Sequence, residues 1–248
     1  MNHRIIPETT SCSLHLLAMA FMLCDHLWAT VIPGNEWLTC VGRLAFPIFA
    51  FLLVEGYFHT HSLKRYAGRL FLFALLSEVP FDLVMGSTVF YPVHQNVLWT
   101  FLIGLGLIAC NEWARGKGQL WLRGLTAAAT VILGFLLGLV SFADFHFAGV
   151  FMVLTFYFFR GRRWWNRLGQ LLAMAFINLE ILGGLSYPVS LGGFSFFFPQ
   201  QGFALLSLPL IWLYRGRQGY HSRAFQYACY AFYPVHLFLL WLLQGVLT

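Results

Sequence analysis

Residues 14–32 read LHLLAMAFMLCDHLWATVI, a run in which His15, Asp25 and His26 are the only side chains that charge near neutral pH. A stretch of this length and polarity crosses the hydrocarbon core of a bilayer as one helix. The rest of the chain repeats the pattern. Apolar residues make up 59% of the 248 positions and charged residues only 10%, too few to cover a water-soluble surface of this size. The chain divides into apolar runs near 14–32, 38–58, 66–86, 95–111, 123–141, 142–159, 168–186, 194–214 and 224–246. The expected fold is therefore an all-α, polytopic membrane helix bundle of about nine spans, forming a single domain over 1–248.

Charge sets the expected orientation. Fourteen of the fifteen Lys and Arg fall before the first run or in alternate loops, among them Arg4, Arg65, Arg69, Arg115, Arg163 and Arg217. The positive-inside rule then places the N-terminus in the cytoplasm and the C-terminus outside. The net charge of +6 has the same origin, so no nucleic-acid partner is expected. The partner is membrane lipid, and the expected location is a bacterial inner (cytoplasmic) membrane. Cys12, Cys24, Cys40, Cys110 and Cys229 lack metal-binding spacing, and no metal is expected.

Ionisable groups within lipid are costly and mark a pathway or a reaction site. Asp25, His26, Arg43, Glu78, Asp82, Asn96, Asp144 and His146 all fall at or above the outer half of the membrane. The fifteenth cation, Arg43, requires a partner there, and Asp25 lies at a similar depth on the antiparallel first span. A plain helix-locking ion pair accounts for Arg43 and Asp25 equally well. It does not account for so many costly groups at one level. Adjacent positions on a helix do not face each other, so Asp25 is not expected to orient His26 directly.

At these residues the sequence resembles the TraX family. The resemblance runs through Asp25-His26, the segment from Gly42-Arg43 to Pro47-Ile48-Phe49, Glu55-Gly56, Tyr66 with Arg69-Leu70, Ser77-Glu78-Val79-Pro80-Phe81, Gln95-Asn96-Val97, Asp144 with Gly149, and Tyr233-Pro234-Val235-His236. It implies an integral-membrane acyltransferase that takes acetyl groups from cytoplasmic acetyl-CoA and modifies pilin or another envelope acceptor. The Ser-Glu-x-Pro-Phe block sets the chain apart from the conjugation branch of the family and leaves the acceptor open.

By that resemblance His26 is the catalytic base, with Asp25 and Arg43 in the catalytic group. Glu55, Glu78, Gln95, Asn96, Tyr233 and His236 are the expected substrate-binding residues, and Arg65 and Arg69 hold the phosphates of the acyl-CoA. The chemistry suits these residue types, since acyl transfer from a thioester needs a base and groups that stabilise an oxyanion. Two other classes compete: a proton- or substrate-coupled transporter, and a structural subunit of a pilus or conjugation apparatus. A transporter commonly carries internal repeats, whereas each polar motif here occurs once.

Overall fold

The fold, taken from a computed structural model, is described for residues 9–191 and 193–247; Arg4 and the C-terminal Thr248 lie outside the described residues. It is a helical bundle with one small hairpin. Helix α1 (Ser11–Thr30) opens on a reciprocal cap: the Ser13 N–H donates to Thr10 Oγ1 and the Thr10 N–H to Ser13 Oγ. It is followed by α2 (Glu36–Gly42), α3 (Ala45–His59), α4 (Leu63–Gly86), α5 (Val97–Gly116), α6 (Leu120–Val140) and α7 (His146–Phe158). Then come α8 (Trp164–Ala175), a π-helical turn (Phe176–Leu182), strands β1 (Ser186–Leu191) and β2 (Phe194–Pro199), a 3₁₀ segment (Gln200–Leu206), α9 (Ser207–Trp212) and α10 (Arg223–Leu247).

The second expected span is a broken helix. Proline at position 47 has no N–H for the Arg43 carbonyl, and its ring crowds that carbonyl. The helix therefore interrupts at Arg43-Leu44 and restarts at Ala45, with Pro47 in its first turn. This puts a cation at a break in the backbone inside an apolar segment.

Helix α3 is the centre of the bundle. In the α2–α3 segment 67% of the apolar window is buried, against 17% in α6 and 11% in α1. α1 packs on α2 and α3, α10 runs along α4, and α5, α6 and α7 form a second layer against α3. In that layer a Cβ at Gly138 would sit 2.4 Å from the Phe147 Cα, so only glycine lets α6 and α7 approach this closely. Large side chains on the outside, such as Ile132, Leu136 and Val140 of α6, are widely exposed. A water-soluble protein seldom presents such a continuous apolar face, whereas for a lipid-facing helix it is the favourable state.

Among the described residues, five segments are long and apolar enough to cross a membrane: α1, α2 with α3, α5, α6 and α10. The other expected spans look different. α4 is 24 residues long but carries Lys64, Arg65, Arg69, Glu78 and Asp82. α7 is apolar and only 13 residues long. The run expected as a span over 194–214 is no continuous α-helix. Its first part is β2, paired antiparallel with β1 from Ser186↔Pro199 to Leu191↔Phe194, and its second is the 3₁₀ segment and α9. Pro188, the Gly192-Gly193 dipeptide and the Phe-rich flank all favour a hairpin; mean hydropathy alone does not detect that. The Phe194 and Phe197 side chains project from this hairpin.

Contacts between loops define the two ends of the bundle. At one end, Ser11 N–H donates to the Arg217 carbonyl, and Glu55 pairs with Arg160. Tyr157 donates to Glu112 beside Arg115 at that same end. At the other end, Gln95 and Ala143 form an isolated bridge, and Tyr187 of β1 meets Cys40 of α2.

Candidate functional site

The break in the second span and the C-terminal part of α1 build the first half of the site. Arg43 Nη2 donates to Asp25 Oδ1 at 2.7 Å and to Thr39 Oγ1 at 2.7 Å, while Thr39 Oγ1 donates to the same carboxylate oxygen at 2.7 Å. Arg43 Nη1 also reaches Gln201 Oε1 of the 3₁₀ segment at 3.4 Å. The Arg43 and Asp25 side chains are 18% and 24% exposed, so theirs is a largely desolvated, charge-assisted pair. The close approach depends on Gly42, because a Cβ there would stand 2.4 Å from the Asp25 Cβ. In the Asp-His and Gly-Arg motifs, then, Gly42 admits Asp25, Arg43 pairs with it, and Pro47 makes the break that presents the guanidinium.

The second half joins the first helix to the last. His26 Nδ1 lies 2.5 Å from His236 Nε2, and the rings are nearly parallel at 7°. His236 Nδ1 lies 2.6 Å from the Phe232 carbonyl oxygen. A carbonyl only accepts, so Nδ1 of His236 carries the hydrogen. With both rings neutral, His236 Nε2 is then an acceptor and His26 Nδ1 donates to it. This fixes the tautomer of His26 and leaves its Nε2 lone pair free of the relay. Tyr233, one position before Pro234, packs beside both rings at 6.2 and 5.8 Å between centroids. Asp144 and Arg43 lie within electrostatic reach of the His26 ring.

A third group closes the end of the bundle marked by the Gln95–Ala143 bridge. Glu78 Oε1 accepts from Asn96 Nδ2 at 2.6 Å and from the Trp99 indole N–H. Asn96 also donates to the Ala74 carbonyl, and its own oxygen caps α5 by accepting from the Leu98 N–H. The polar capacity of Asn96 thus goes to joining α4 to α5. Asp82 accepts from the Tyr91 N–H at 2.9 Å. Glu78 Oε2 and Asp82 Oδ1 are buried without a hydrogen-bond partner among the described residues.

His94, in the loop before α5, stands 3.6 Å from Asp144. The Asp144 carboxylate beside it holds the His94 imidazole above the ordinary histidine value, with the Glu78 and Asp82 charges adding to the effect and burial opposing it. The Asp144 segment is itself strained. Phe142, Phe145 and His146 have φ of 53°, 62° and 46°, a left-handed conformation that non-glycine residues adopt at a cost. The Thr100 hydroxyl anchors the loop by donating to the Asp144 carbonyl at 2.7 Å.

The remaining expected residues fall elsewhere. Glu55 lies at the opposite end, where Arg160 Nε donates to it at 2.7 Å, away from the histidine pair. Gln95 makes a turn contact to the Pro92 carbonyl, and its backbone bridges to Ala143. Arg69 stacks between the Tyr66 and Tyr230 rings, at 5.9 and 6.0 Å, and Arg65 is exposed on the first turn of α4. Thr39 and His94 belong to the polar group yet carry no sequence signal. A threonine in an apolar run and a histidine in a loop are both ordinary.

Three comparisons bear on what the chain is. A family model described as TraX protein matches residues 11–244. The probable fimbrial assembly protein FimC, serogroup H1, of Dichelobacter nodosus is 28% identical over 240 residues, covering 92% of this chain and 92% of that protein. No solved structure matches the chain. The family match runs from the first turn of α1 to the last of α10 and so takes in all three polar groups. On the strength of that match the chain belongs to the TraX family.

Proposed function

We propose that this protein is an acetyltransferase that moves an acetyl group from cytoplasmic acetyl-CoA to a fimbrial or pilin-like envelope acceptor. The observation that carries the reading is the His26–His236 relay. It leaves one imidazole nitrogen available as a base beside an arginine–aspartate pair at depth in an apolar bundle. The family and the fimbrial assembly name of the D. nodosus relative support the acceptor class.

The chemistry follows from these groups. The acceptor nitrogen or oxygen attacks the thioester carbonyl while His26 Nε2 takes its proton. As positive charge develops on His26, its Nδ1–H bond to His236 strengthens. Arg43 stabilises the developing oxyanion, its charge held in place by Asp25 and Thr39. Collapse of the tetrahedral centre expels the coenzyme A sulfur as a thiolate. His26 returns the proton to it, giving the acetylated acceptor and free coenzyme A. Tyr233 and Glu78 line the acceptor side, and the donor approaches from the basic end, where the resemblance puts Arg65 and Arg69.

In the same reading the protein lies in the bacterial inner membrane, its basic end in the cytoplasm. The chain passes between the ends nine times, the eighth pass being the short 3₁₀–α9 segment. The experiment is incubation of purified protein with isotope-labelled acetyl-CoA and envelope extract, followed by mass spectrometry of the labelled species. His26→Ala is expected to lower transfer by about 100-fold or more, the usual worth of a general base. Transfer by His26→Ala at the wild-type rate would remove the enzyme reading and favour a transporter.

A further inference from the structure

Proton transfer to His26 creates a positive charge inside the bundle, in a ring whose neighbours suit it poorly. His236 offers it a neutral nitrogen, and Arg43 is itself a cation. Asp25 is engaged with Arg43 and Thr39. A cation formed at depth beside another cation needs a carboxylate near it. Asp144 is a carboxylate within electrostatic reach of the His26 ring, and of Tyr233 beside that ring.

The backbone around Asp144 is built to keep its carboxylate in place. Phe142, Phe145 and His146 hold φ of 53°, 62° and 46°. A loop that merely joins two helices takes glycine or asparagine at such values. The costly conformation persists because its surroundings over-determine it. The Gln95 N–H donates to the Phe142 carbonyl and the Asp144 N–H to the Gln95 carbonyl, both at 2.9 Å. The Thr100 hydroxyl holds the Asp144 carbonyl, and the Phe145 ring stacks on Phe46 with centroids 4.3 Å apart. Gly149 makes the room, since a Cβ there would stand 2.9 Å from the Phe145 Cβ. Through Phe46, in the first turn of α3, the loop is fastened to the helix restart beside Arg43. On Asp144 itself, Oδ1 accepts from the Phe145 N–H at 3.1 Å and faces His94 Nε2 at 3.6 Å.

We propose that Asp144 is a positioning residue for His26: its charge stabilises the imidazolium formed during acyl transfer, and His94 tempers that charge. The proposal rests on the acetyl-transfer reading above. It adds no covalent step. The proton passes from acceptor to His26 and on to the thiolate, and Asp144 stays ionised throughout. His94 lies among the carboxylates of Asp144 and, on α4, of Glu78 and Asp82, and the Phe81 ring meets it edge-on at 5.0 Å. Asp144 is within reach of His94, of His26 and Asp25 on α1, and of Tyr233 on α10. While protonated, His94 cancels part of the Asp144 field; once neutral, it leaves that field whole.

The test uses purified full-length protein in lipid nanodiscs with isotope-labelled acetyl-CoA and envelope extract, and reads initial transfer rates at several extract concentrations. Asp144→Asn is expected to lower the saturating rate about tenfold, the worth of one pH unit in basicity, with the half-saturating amount of extract unchanged. Asp144→Glu, which keeps the charge, should retain most of the rate. His94→Gln should act in the opposite direction, raising transfer about threefold at about pH 6, with the gain fading as pH rises. Opposite signs from the two members of one contact are the signature, because a contact that merely props up the loop gives losses in both.

If His94→Gln fails to speed transfer at the lower pH, the pair is a structural clasp and the proposal fails, although acetyl transfer stands. If Asp144→Asn raises the half-saturating amount of extract and spares the saturating rate, Asp144 holds the acceptor instead, and the proposal again fails. Should a thermal melt show that Asp144→Asn does not fold, the sign of the His94→Gln effect decides alone. If the wild-type protein labels no acceptor, the acetyl-transfer reading falls and this role of Asp144 falls with it.

Discussion

Asp25, Arg43 and Thr39 form a closed triangle in which one carboxylate oxygen accepts two hydrogen bonds and the hydroxyl relays between donor and acceptor. Removing one member of a desolvated ion pair strands the other, at a cost on the order of 3 kcal/mol. Arg43→Met and Asp25→Asn are each expected to lower the thermal stability of the detergent-solubilised protein. The double substitution should recover part of the loss, because no unpaired charge remains. A double mutant whose destabilisation is the sum of the single effects would show that the two side chains do not interact.

Gly42→Ala tests the same corner by shape rather than charge. The added methyl meets Asp25, so the α1–α2 contact must open and Arg43 must lose its partner. The expected outcome is a drop in stability close to that of Asp25→Asn, read by the same thermal melt. His236 acts through His26, as a positioning residue. His236→Phe removes the acceptor for the His26 Nδ1–H, and the expected loss in acetyl transfer is smaller than that of His26→Ala. A shifted pH profile should accompany it, which a purely packing role would not produce.

Among the elements, the connection that precedes α7 concentrates the conformational cost. Its left-handed residues are held by the Gln95–Ala143 bridge, by the Thr100 hydroxyl and by the His94–Asp144 contact. The folded protein raises the His94 pKa above its ordinary value of about 6.5, chiefly through Asp144. A raised folded value means the protonated form is favoured by folding. That contribution is complete below the unfolded pKa and is lost as pH rises through the folded one. Wild-type protein is therefore expected to lose more thermal stability than His94→Gln between about pH 6 and pH 8. Parallel curves for the two proteins would show that the pair contributes nothing. The broken α2–α3 helix and the hairpin between the π turn and the 3₁₀ segment are the other irregular elements. Both adjoin the polar group, Arg43 directly and Tyr187 through its contact with Cys40.

For the molecule as a whole, the two ends differ in charge, and topology is the property to test. Single cysteines introduced near Arg65, Arg115, Arg163 and Arg217 into a cysteine-free background are expected to be shielded from impermeant reagents in intact cells. Those at Asn35, Gly86 and Ser190 should react. Labelling of any of the first set would overturn the proposed orientation.

The sequence alone determined the membrane class, the helical bundle and the polar motifs, because composition and run length decide whether a chain can be covered by water. It also brought Asp25 and Arg43 to similar depth, since antiparallel helices of known start have calculable heights. Which side chains meet was decided by the tertiary structure. Helix rotation and the break made by Pro47 determine that Arg43 turns to Asp25, and the packing of α1 on α10 brings together His26 and His236, 210 positions apart. Hydropathy assigned 194–214 to a span because lipid-facing helices and a Phe-rich hairpin share the same mean. Backbone pairing between β1 and β2 is a long-range choice that a window average does not contain.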